Sequence, residues 1–91
     1  RILTDLTGEI RLDVAVHQAA RELARLRLRE CEAEIASFET RYGIDFDSFR
    51  LKWERGDVEA KHSYEVERDY WEWEAAAMNR ARLLGTLNKL P

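Results

Sequence analysis

Between Asp13 and Tyr42 the chain has neither glycine nor proline, and its apolar residues recur at spacings of three and four. That is the period of an amphipathic helix, and it predicts a long helix over residues 13–42. Leu12, Val16, Ala19, Leu23 and Leu26 form one stripe. Leu28, Cys31, Ile35, Phe38 and Tyr42 form a second, rotated stripe. Two stripes on one helix call for two contacts. Arg21, Glu22, Arg25, Arg29, Glu30, Glu32 and Glu34 fill the remaining face, a mixture that reads as solvated surface. Asp13 is placed to cap this helix, because a short carboxylate accepts from the free amides of a first turn. Residues 1–12, with Thr4, Thr7 and Gly8 among apolar positions, read as an extended arm or short strand.

Gly43 is where the long helix should close, since glycine enters the left-handed region without a Cβ penalty. Asp45 is a good second N-cap. Ile44 before it and Phe49 after it stand at hydrophobic-staple spacing, which predicts a short helix over residues 46–55 with Phe46, Phe49 and Trp53 inward. Gly56 ends that helix as Gly43 ends the first. Residues 57–62 are polar and read as a loop, and Ser63 can cap a third helix over residues 64–88. The stripe of the third helix is Val66, Tyr70, Trp73, Ala77, Ala81, Leu84 and Leu87, widened by Trp71, Met78, Leu83 and Leu90. Gly85 weakens the helix by about 1 kcal/mol relative to alanine and marks fraying or an early stop.

These elements predict one all-α domain over residues 1–91, with two long antiparallel helices joined by a short one. Two helices and a cap cannot bury every stripe, so the fold is expected to be completed by oligomerisation or a partner helix. Three tryptophans, three tyrosines and three phenylalanines are concentrated between Phe38 and Trp73, so that end should hold the densest packing.

Composition narrows function mainly by exclusion. Eighteen acids against fifteen lysines and arginines leave a net charge of −3, with no long block of either sign and only Arg1 and Arg11 basic in the first dozen residues. Nucleic acid is therefore not the expected partner. No signal peptide and no unbroken apolar run of about 18 residues is visible, and the single cysteine cannot form an intrachain disulfide. A reducing cytoplasm and no membrane are the expectation. The opening residue is Arg1 rather than Met, which fits either missing N-terminal residues or a processed terminus.

Catalysis finds no candidate residue, so no enzyme activity is expected. Cys31 lies in an apolar stripe, and Ser37, Ser48 and Ser63 have no glycine-rich elbow around them. A di-iron helical bundle needs Glu-x-x-His, whereas His62-x-x-Glu65 has the reverse order and His17 stands alone, so neither metal nor cofactor is expected. What remains is an acidic, aromatic run on the third helix. Glu65, Glu67, Asp69 and Glu72 alternate with Trp71 and Trp73, and these six residues are the expected contact surface for a basic protein. The alternative is a solvated acidic face with its aromatics turned inward.

The run Phe38-Glu39-Thr40-Arg41-Tyr42-Gly43-Ile44, then Phe49 and Gly56, then His62 through Tyr70-Trp71-Glu72-Trp73-Glu74, resembles a family of small prokaryotic antitoxin-like proteins of type II toxin–antitoxin pairs. Gly56-Asp57-Val58 stands where that family has Gly-Glu-Leu, and the resemblance does not reach residues 1–34. It implies a protein that lays an acidic, aromatic helical surface on a cognate small basic toxin, of the kind that cuts RNA, and blocks its active site. Two rival readings are a self-associating helical module without a toxin and a ferritin-like metal carrier.

Overall fold

The computed structural model describes residues 2–59 and 62–90, with side chains from residue 11 onward. Three helices follow one another, α1 Ile2–Tyr42, α2 Phe46–Arg55 and α3 Tyr64–Lys89, and no strand occurs among the described residues. The protein is all-α. Tyr42 meets Asp69, Phe38 meets Trp73, and Glu32 meets Arg80. Residue numbers fall along α1 as they rise along α3, so the two long helices are antiparallel.

Short-range signals set most of the helix ends. Asp45 has extended backbone, and its Oδ1 accepts the Ser48 amide at 2.8 Å. Ser63 does the same for Val66 at 3.2 Å. Gly43 and Gly56 sit at φ of 74° and 76°, where an L side chain is strained. The amide of Gly43 returns to the Glu39 carbonyl at 2.7 Å and closes the last turn of α1. Ile44 packs against the cluster that contains Phe49, as staple spacing requires.

Three expectations are corrected. Residues 2–12 are not an extended arm: α1 is helical from Ile2 onward, and Asp13 lies inside it rather than capping it. Nothing in this stretch forbids helix, since proline is absent and Gly8 costs only about 1 kcal/mol. Once a ladder exists, each added residue gains one bond and needs no new nucleus. Gly85 does not stop α3, which runs on to Lys89. In keeping with the expectation that two helices and a cap cannot bury every stripe, Leu12, Val16, Ala19, Leu23 and Leu26 are left uncovered, because α3 is too short to reach the first half of this stripe and lies against the other one. Within the loop read over residues 57–62, Ala60 and Lys61 lie outside the described residues.

The helix lengths explain the shape. At 1.5 Å per residue, α1 is about 61 Å long and α3 about 39 Å, and the molecule measures 67 × 20 × 18 Å. The N-terminal half of α1 therefore extends beyond the bundle.

A candidate protein-docking surface

The closed end of the hairpin is an aromatic knot. Trp73 is completely buried, with the rings of Phe38, Tyr42, Phe46 and Phe49 at 5.5, 5.7, 5.4 and 5.0 Å between centroids. Phe38 and Tyr42 lie one turn apart on α1 and both stack on it nearly parallel, at 19° and 21°. Tyr70 lies one turn before Trp73 and packs on Trp53 at 4.3 Å and Phe46 at 5.7 Å. All three helices contribute rings, so the knot fixes their mutual positions. Trp73 Nε1 is buried and finds no acceptor among the described residues, which leaves that N–H facing an aromatic surround.

A polar clamp closes the rim. Tyr42 donates its hydroxyl to Asp69 Oδ2 at 2.6 Å, and Arg41 donates Nη1 to the same oxygen at 2.7 Å. Burial pushes the Asp69 carboxyl up, but these two bonds and the Arg41 charge outweigh it and hold the group below its usual range. Burial and the Asp69 bond push the Tyr42 hydroxyl up to about 12.

With the knot holding α3 in place, the six expected contact residues divide. Asp69 and Trp73 are 4% and 0% exposed and point into the bundle, so neither belongs to an outer surface. Glu65, Trp71 and Glu72 are exposed, and Glu67 is half-buried. Glu65 and Glu72, one heptad apart, share a side of α3. Trp71 is turned about 100° away from Glu72. The six do not make one face.

A different set does. Tyr64, Trp71 and Met78 follow one another at seven-residue spacing and are 75%, 59% and 58% exposed. Glu67 and Glu74 fall between them, which gives a row spaced three, four, three and four, the spacing of a single helical face. Arg68 stacks over the Tyr64 ring at 5.7 Å, and the Trp71 ring meets Tyr70 edge-on at 5.1 Å. Burial and then the Glu74 charge push the Tyr70 hydroxyl up, so the acidic row is felt in the core beneath it. The heptad spacing of Tyr64, Trp71 and Met78 was the signal in the sequence that would have found this face.

Among the described residues, no group of three or more His, Cys, Asp or Glu side chains converges as a metal site. None of the described helices is long and apolar enough to cross a membrane. Cys31 is free and half-buried. The fold and this surface define a class, a helical hairpin locked by an aromatic knot with an acidic, aromatic outer face. Comparison with known proteins finds no family model, curated protein or solved structure that matches.

Proposed function

We propose that this chain is a protein-binding module that docks a small basic protein along the outer face of α3, in the manner of an antitoxin that covers its toxin. The observation that carries the reading is the row Tyr64, Glu67, Trp71, Glu74 and Met78. Large side chains supply contact area at every second turn, and carboxylates between them select a cationic partner. Exposed aromatics on a rigid helix lose little conformational freedom on binding, and a partner that covers Trp71 removes much of its exposed ring from water. The resemblance of residues 38–74 to antitoxin-like proteins supplies the class of partner, a toxin of the RNA-cleaving kind whose active site this face occludes.

The test is light scattering coupled to size exclusion, with the chain purified alone and then co-expressed with the product of the adjacent gene. A defined heteromeric complex, lost on Trp71→Ala and weakened by Glu67→Lys, supports the reading. An unchanged elution with that product overturns it.

A further inference from the structure

A second surface, on the opposite part of the molecule, is independent of the α3 face. Extrapolated from the Tyr42–Asp69, Phe38–Trp73 and Glu32–Arg80 contacts, the end of α3 falls opposite residue 22 or so of α1. Every residue from 11 to 20 is exposed. A helix of this length standing free in water is marginal by itself. It also carries an apolar seam: Leu12, Val16, Leu23 and Leu26 are 64%, 54%, 53% and 46% exposed, with Ala19 completing the spacing of four, three, four and three. The α3-facing seam, through Ala24, Leu28 and Phe38, lies about 120° around the helix, so the outer stripe stays open along its length.

We propose that the outer stripe of α1 pairs with the same stripe of a second copy as a parallel, in-register two-stranded coiled coil. The residues themselves select both partner and direction. Written as heptads, Val16 and Leu23 occupy the a positions and Leu12, Ala19 and Leu26 the d positions. Val16 at a between Leu12 and Ala19 at d is the part of the seam that matches the β-branched-a, leucine-d pattern of two parallel strands, while Leu23 at a and Ala19 at d do not carry that preference. The charges flanking the seam agree. In a parallel pair the g position of one helix faces the next e position of the other, which sets Glu22 against Arg27, twice by symmetry. Antiparallel pairing centred on the same stripe turns about Ala19, sets Glu22 near Val16 and Arg27 near Arg11 of the other copy, and so loses the Glu22–Arg27 pair. Arg27 already holds Glu30 at 3.2 Å, but both groups are more than half exposed, so that pair yields easily to a new partner. The seam stops at Glu30, an acid at the next a position, past the point where α3 begins to cover the other side of α1 near Ala24.

The experiment uses the purified chain alone. At high micromolar concentration, light scattering is expected to give twice the 10.7 kDa chain mass, and Leu23→Lys, a change at an exposed position, is expected to return it to 10.7 kDa with its helical circular dichroism retained. In a Cys31→Ala background, Leu26→Cys is expected to form an intermolecular disulfide under mild oxidation, because parallel, in-register helices bring residue 26 against its own copy, whereas antiparallel pairing on this stripe sets it against residue 12. Glu22→Arg is expected to raise the dimer dissociation constant at least ten-fold, and adding Arg27→Glu to restore it. A monomer at high micromolar concentration overturns the proposal. A dimer indifferent to Leu23→Lys overturns the surface, and a dimer without the 26–26 disulfide overturns the parallel register.

Discussion

Tyr42 and Asp69, 27 residues apart in the chain, meet hydroxyl to carboxylate at 2.6 Å and tie the end of α1 to the first turns of α3. Removing the acceptor leaves a half-buried phenol without its strongest partner. Asp69→Ala is expected to destabilise the fold by about 2 kcal/mol, and Tyr42→Phe by about 1 kcal/mol. Arg41, half in solvent, makes a smaller contribution. Urea unfolding of the two single variants and the double variant measures the coupling, and strict additivity would show that the bond is energetically silent.

The same pair predicts two pH limits. Asp69 is held below its ordinary 3.8, so its stabilisation is complete above that value and is lost as pH falls through the lowered one. Tyr42 is raised from 10.0 to about 12, so its contribution is complete below pH 10 and is lost as pH climbs through 12. Stability should be flat with respect to these groups across neutrality. Denaturation midpoints measured from pH 2 to 12 check this, and Tyr42→Phe should reduce the alkaline loss.

Trp71 and Trp73, two positions apart, should behave oppositely. Trp73→Ala opens a large cavity in the knot and is expected to cost about 3–5 kcal/mol, enough to unfold a small domain. Trp71→Ala removes an exposed ring and is expected to change stability by no more than about 0.5 kcal/mol while abolishing partner binding. Thermal melts together with co-purification separate the two. Equal melting losses would contradict the assignment of inner and outer rings.

Gly43→Ala tests the turn between α1 and α2. A Cβ there meets nothing within 4 Å, so any cost is the strain of a positive φ alone. A loss of about 1 kcal/mol is expected, measured by urea denaturation. An unchanged midpoint would mean that the turn relaxes.

How much of this was legible in the sequence depends on the range of the interaction responsible. Gly43, Asp45, Gly56 and Ser63 act on backbone groups within about five residues, so the ends of α2 and the start of α3 follow from sequence alone. The closing of the hairpin by aromatic residues follows as well, since nine aromatic residues concentrated around two glycine turns have few other ways to leave water. Residues 2–12 were misread because local β-propensity and a cap-like Asp13 were weighed against a helix that extends through them at one bond per residue.

The outer aromatic face of α3 was only partly visible in the sequence, for a physical reason. Trp71 and Trp73 are about 200° apart on α3, and each continues a plausible apolar stripe. Which of them is core depends on where Phe38 and Tyr42 arrive from α1, more than 30 residues away. Asp69 reads as one more acid on a solvated face until Arg41 and Tyr42 are placed over it. The sequence by itself determined an all-α chain, its helix ends and its acidic, aromatic character. Only the tertiary structure decided which face of α3 looks outward, because burial belongs to pairs of helices and a stripe on one helix does not name its partner.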